Sequence, residues 1–406
     1  KDGLMAEGSL SSNSNHSRRG LAVQLGVITF TRTVIYTGLR MVFPFLPTLA
    51  RGMGVSLETA ALAITLRSIM GVFSPLLGSL GDVRGRKWAQ RLGLGMLAAG
   101  LLLPGVWSTY PSFLIGSLIF GVGIVIFDPS IQAYVGDQVP YQRRATAMAV
   151  IEIGWSAAFL VGIPLVGRVI SEAHWGRPFL GVGVLILLSM GLIHWVLPES
   201  DPPSRERPDF KEGLLTAVRH GPSMAAVGVS FLMLVGSRGL MIVYGAWLEK
   251  AFQLSERVLG DVSSSLGVAG IVGLVVVSLF TDRLGKKLSL GLGLVLSTLA
   301  VLALPLVSES LGLTVGALFL YYIAFEFTLV TVISLVSQLR PGARATLMAF
   351  NAAAVSAGDA VGSLVGPRVF NGGIGPNVIL LTVVNVAALV LLILFVRDGE
   401  SSVDAG

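Results

Sequence analysis

Long apolar runs alternate with short polar connectors along almost the whole chain, and the runs are too long for strands or ordinary core helices. A helix needs roughly 20 mostly apolar residues to cross a hydrocarbon layer. Runs of that kind fall near 21–47, 57–80, 90–107, 112–136, 146–168 and 178–197, then near 223–248, 259–281, 288–307, 312–337, 345–368 and 377–396. The pattern predicts an all-α membrane protein with 12 transmembrane helices. Its one long interruption, Pro198 to Pro222, carries Asp201, Arg205, Glu206, Arg207, Asp209, Lys211, Glu212 and Arg219. This charged linker, 198–222, divides two six-helix bundles at 20–197 and 223–397. Residues 1–19, rich in Ser, Asn and Gly, read as a disordered tail, and 398–406 as a short C-terminal tail.

Composition agrees with a bilayer as solvent. The 406 residues are 53% apolar with a mean hydropathy of +0.80, and only 13% are charged, against about 25% in soluble domains. A net charge of +6 could suggest nucleic acid as a partner, but the cations sit in short loops between apolar runs. With 12 spans, 19 of the 29 lysines and arginines collect on the side of the chain ends and 6 on the other, leaving four inside spans. That asymmetry places both termini in the cytoplasm. The absence of cysteine excludes disulfides and thiolate chemistry. The four histidines, His16, His174, His194 and His220, fall in the tail, loops or span ends, with no nucleophile–base cluster and no metal-ligand spacing. Neither an enzyme nor a cofactor is expected.

The halves share a repeat. Gly-Ser-Leu-Gly-Asp-Val-Arg-Gly-Arg-Lys at Gly78–Lys87 returns as Ser-Leu-Phe-Thr-Asp-Arg-Leu-Gly-Lys-Lys at Ser278–Lys287, and Arg-Arg-Ala-Thr-Ala-Met-Ala at Arg143 returns as Ala-Arg-Ala-Thr-Leu-Met-Ala at Ala343. Both are offset by 200 residues. One offset for two markers means a duplicated half, the arrangement in which transporters build two faces around a central site.

Gly78, Leu80, Gly81, Asp82, Gly85, Arg86 and Lys87 fit a Gly-x-Leu-Gly-Asp-x-x-Gly-Arg-Lys loop, with Val83 where a basic residue is common. Asp282, Gly285, Lys286 and Lys287 form a degenerate second copy. In these residues, and over essentially its whole length, the chain resembles the major facilitator superfamily of secondary transporters. The resemblance implies two pseudo-symmetric six-helix bundles, with spans 1, 4, 7 and 10 lining a cavity and spans 2, 5 and 11 serving as gates. It also implies a cytoplasmic latch in which Asp82 and Asp137, with Arg86, hold the halves together in one state and part in the other. Glycines at 78 and 85 suit a tight turn.

Ionisable groups in a bilayer core cost at least about 2.5 kcal/mol each and mark functional sites. Eight fall inside the predicted spans: Arg32, Arg40, Arg67, Asp128, Glu152, Arg238, Glu326 and Asp359. Asp128 precedes Asp137 by nine residues, roughly 13 Å along a helix, and so lies near the midplane. Arg32, Arg40, Arg67, Asp128, Arg238 and Glu326 are candidates for the substrate and proton cavity, while Glu152 and Asp359 fall on gate spans. Burial opposes the charged form of an acid and a nearby arginine restores it, so Asp128 and Glu326 suit proton carriage. The guanidinium forks of Arg32 and Arg238 suit an anionic group of the substrate, or are neutralised by the acids when the cavity is empty. Arg40, near the outer end of span 1, is placed to snorkel to the surface.

Aromatics such as Tyr36, Phe43, Tyr244, Trp247, Tyr322 and Phe325 on the cavity spans favour amphipathic solutes. Span 5 reads Gly162-Ile163-Pro164-Leu165-Val166-Gly167, a broken remnant of the signature of the family's proton-driven exporters. The expectation is a proton-coupled, alternating-access exporter of small amphipathic compounds, alternatively a carrier of an organic anion or zwitterion. It would act as a monomer in a bacterial inner membrane on a small-molecule substrate and protons, without cofactor or nucleic acid.

Overall fold

The computed structural model describes residues 3–77, 80–172, 174–198, 220–340 and 344–396, with side chains from Gly20 onward except those at 82, 83, 141, 142, 145 and 345. The expected linker and C-terminal tail, Gly78 and the side chain of Asp82 thus lie outside the described residues, save for the linker's ends at Pro198 and His220–Pro222. The first half comprises α1 (Gly3–Arg40), α2 (Val42–Met53), α3 (Leu57–Val72), α4 (Ser74–Leu77), α5 (Leu80–Arg84), α6 (Arg86–Val106), α7 (Tyr110–Gln138), α8 (Tyr141–Ala157), α9 (Ile163–Glu172) and α10 (Arg177–Val196). The second comprises α11 (Gly221–Met241), α12 (Tyr244–Phe252), α13 (Glu256–Leu284), α14 (Lys286–Ala303), α15 (Leu311–Val336), α16 (Arg344–Val369) and α17 (Gly375–Phe395).

Among the described residues there is no strand, and ten helices are long and apolar enough to cross a membrane, eleven with the bent pair that begins at Gly20. The expected span at 57–80 is divided among α3, α4 and α5. Helix α1 begins at Gly3, inside the segment expected to be a disordered tail. An apolar helix already nucleated at its membrane end extends at one backbone bond per added residue.

Prolines set the irregularities. The first span bends by 48° between α1 and α2, because Pro44 lacks the N–H that would reach the carbonyl of Arg40. In the fifth span Pro164 cannot donate to Leu160, and Ala158–Gly162 forms a π-turn in which the Ile163 N–H bonds the Ala158 carbonyl. The duplicated loop glycines keep one conformation. Gly85 has φ 95°, ψ 145° and Gly285 has φ 82°, ψ 149°, a region open only to glycine.

We call the side bearing these two glycines the loop-motif face and the opposite side the far face. The halves meet along α3 with α16, and along α8–α9 with α13. At the far face the contact is backbone on backbone: a Cβ at Gly245 would stand 2.2 Å from the Pro44 carbonyl oxygen, and one at Gly167 2.6 Å from the Glu256 carbonyl oxygen.

Candidate functional site

The eight intramembrane charges gather into three clusters. In the first, Arg32 is 1% exposed. Its Nη2 donates to Glu152 Oε1 at 2.8 Å and to the Tyr36 hydroxyl at 2.8 Å, and its Nη1 stands 3.9 Å from Asp128 Oδ1. Tyr36 in turn donates to Asp128 Oδ2 at 2.8 Å. One guanidinium, one phenol and two carboxylates from α1, α7 and α8 thereby form a continuous polar chain, the pairing a buried arginine requires. Its two ends are the exposed members: the Glu152 side chain is 43% exposed and Asp128 25%, against 2% for Arg32. The acids are reachable while the arginine is sealed.

The second cluster joins the two halves. Arg40, 4% exposed, lies 3.3 Å from the Trp155 ring centre and 4.2 Å from that of Phe159, and its Nη1 donates to the Tyr322 hydroxyl at 3.1 Å. The same indole donates through Nε1 to Glu326 Oε1 at 3.3 Å. Arg40 therefore does not snorkel. The bend after α1 keeps it inside, where ring faces replace water around the charge. Tyr36 meets Trp155 edge-on at 4.9 Å, which places the first two clusters in contact.

In the third cluster Arg238 pairs with Asp359, to which Ser68 also donates, and both Arg238 and Arg67 stand over Phe43, at 4.2 Å and 5.7 Å. Arg67 donates to the Leu39 carbonyl at 3.2 Å. Of the two roles expected for Arg238, this arrangement shows neutralisation by an acid, since a carboxylate of its own half engages it. Asp359 and Ser68 link α16 to α3 across the halves.

At the loop-motif face, Arg86 Nε stands 3.4 Å from Asp137 Oδ2. This pair joins α6 to α7 within one half, and the side chain of Asp82, the third member of the expected latch, lies outside the described residues. Asp282 is exposed at the end of α13. Lys87 is buried and donates to the Leu197 carbonyl at 2.7 Å, capping α10 as a cation at a helix C-terminus does.

Among the described residues, the far face carries the ion pairs between halves: Arg51–Glu249 at 2.6 Å, Arg51–Glu256 at 4.0 Å, Arg168–Asp261 at 3.5 Å and Arg257–Glu172 at 2.8 Å. Among the described residues no group of three His, Cys, Asp or Glu is placed to hold a metal.

Sequence reasoning left out Trp155 and Phe159 and did not connect Tyr36 to Asp128. The signal was helical spacing. Arg32, Tyr36 and Arg40 recur every four residues on one stripe of α1, and Glu152, Trp155 and Phe159 recur at three and four along the fifth span.

The family profile of the Major Facilitator Superfamily matches residues 28–235 and 226–406. The chain is 24% identical over 336 residues to the MFS-type transporter YwfA of Bacillus subtilis (strain 168), spanning 80% of this chain and 81% of that one. It is 20% identical over 383 residues to the quinolone resistance protein NorA of Staphylococcus aureus (strain MRSA252), spanning 91% and 96%. Among solved structures, a D-xylose–proton symporter superposes with a TM-score of 0.77 at 15% identity, covering 93% of this chain and 98% of that one.

Proposed function

Since the chain belongs to the Major Facilitator Superfamily, a family of membrane transporters, we propose that it is a proton-coupled exporter of small amphipathic compounds, working by alternating access. NorA, by its name a resistance protein, and the aromatic surroundings of Arg40 support export of amphipathic solutes. The observation that carries proton coupling is the chain Glu152–Arg32–Tyr36–Asp128, with a reachable carboxylate at each end and a sealed arginine and phenol between them. A carboxylate that alternates between an arginine partner and water can take up and release a proton. Glu152 and Asp128 are the two reachable ends, Glu152 the more exposed, and Tyr36 holds Asp128 through its hydroxyl. On this reading the termini are cytoplasmic in a bacterial inner membrane, and the arrangement described is closed on the far face and open toward the cytoplasm.

Carriage of an organic anion has less support. Arg32 and Arg238 already meet Glu152 and Asp359, and a buried cation with a carboxylate partner gains little from a second anion.

The test is ethidium-driven proton movement in proteoliposomes loaded with a pH-sensitive dye. The wild type should move protons against the direction of ethidium. Asp128→Asn and Glu152→Gln should each lower the coupled flux about tenfold or more, the range for removing a positioned proton-transfer group. Unchanged coupled flux in both variants would defeat the reading.

A further inference from the structure

Arg40 differs from the other central arginines in how its charge is met. Arg32 and Arg238 each face a carboxylate. Among the described residues, Arg40 makes no ion pair and is held by two ring faces and a phenol. Glu326, 4% exposed, is bound to the edge of the same indole and has no ion pair either. Ring faces around a desolvated positive charge, with a carboxylate close by, are the recognition chemistry of an organic cation. Here a side chain of the protein fills that place.

We propose that Trp155, Phe159, Tyr322 and Glu326 form a binding site for organic cations, and that Arg40 occupies it as a tethered stand-in which a substrate cation displaces. The inference rests on the exporter reading and names its substrate class. Arg40 is mounted for such an exchange. It is the last residue of α1, at the 48° bend, where the missing Pro44 donor leaves the helix free to re-aim it. The site draws on both halves, Trp155 and Phe159 from one, Tyr322 and Glu326 from the other. A cation that replaces Arg40 therefore touches both bodies that must move. Exchange of one monovalent cation for another leaves the charge of the site unchanged.

The test is equilibrium binding of tetraphenylphosphonium to the full chain in lipid nanodiscs without any gradient, with tetraphenylborate as the probe of equal shape and opposite charge. Arg40→Gln should bind tetraphenylphosphonium about tenfold tighter than wild type, since the internal competitor is gone. Arg40→Lys, which keeps a tethered cation, should stay near wild type. Adding Trp155→Leu to Arg40→Gln should abolish the gain. Three results would overturn the proposal: no gain in Arg40→Gln, an equal gain for tetraphenylborate, or a gain that survives loss of Trp155. If Arg40→Gln does not fold, Glu326→Gln in the wild-type background decides. Binding about fivefold weaker supports the site, and unchanged binding overturns it. Because no proton gradient is present, failure of this binding and failure of coupled flux are separate outcomes.

Discussion

The two faces of the molecule differ in how the halves meet. On the far face, arginines and carboxylates of opposite halves meet in four exposed contacts, above a seam where Gly245 lies on the backbone of Pro44 and Gly167 on that of Glu256. On the loop-motif face, the Arg86–Asp137 pair stays within one half. Exposed ion pairs are worth about 0.2–1 kcal/mol each. Backbone contact through glycine is steric and tolerates no added atom. The far face is therefore shut mainly by shape, with charge as a weak, salt-sensitive supplement. A seam of that kind closes fully or not at all, and it opens without breaking any strong bond.

The largest expected effect follows from that seam. Gly245→Leu should hold the far face open and reduce transport about tenfold or more, because its Cβ would meet main-chain atoms that have no rotamer to adopt. The measure is the distance between spin labels at Ser171→Cys and Glu309→Cys, which should lengthen. An unchanged distance with full transport would remove the steric account.

Next in size, Gly285→Ala and Gly85→Ala should each lower stability by about 1–3 kcal/mol, the range for a side chain forced into such a backbone region. Thermal unfolding in detergent would measure this. Unequal losses would mean that the two copies of the loop no longer carry equal strain. The smallest effect is charge reversal. Arg51→Glu, facing Glu249 and Glu256, should shift the labelled distance distribution toward the open form only a few-fold. The shift should shrink at high salt, and a salt-independent shift would assign Arg51 a role beyond charge pairing.

Much of the scaffold was legible in the sequence. Apolar run length located most of the membrane helices, though not the division of 57–80 into three, and Gly85 and Gly285, 200 residues apart, share one backbone conformation. Intramembrane charges were legible as a set but not as pairs. Hydropathy reports that Arg32, Arg238, Glu152 and Asp359 lie inside spans; it says nothing of which meets which, since partners lie on helices far apart in the chain. For Arg40 the position along span 1 left both a cavity place and a snorkelling one open, and the ring faces of Trp155 and Phe159, on a distant helix, are what hold it inside. Arg51, Arg168 and Arg257 were counted as evidence of orientation, whereas each also crosses between the halves.

The π-turn at Ala158–Gly162 has a rotational consequence. At about 100° per residue, Gly167 in a regular helix would point about 120° away from Trp155. A turn that absorbs one extra residue brings the two back to within about 20°. Trp155 can then meet Glu326 while Gly167 meets Glu256 and Gly260, all on the second half. By the same correction, Gly154 and Gly162 both press on the first helix, at Arg32 and Thr37. A single surplus residue thus keeps one gate helix facing two neighbours along its whole length. Deleting Leu160 would let a regular helix hold the same alignment, since eleven steps of about 100° also bring Trp155 and Gly167 to within about 20°; inserting a further residue would twist every contact beyond it away.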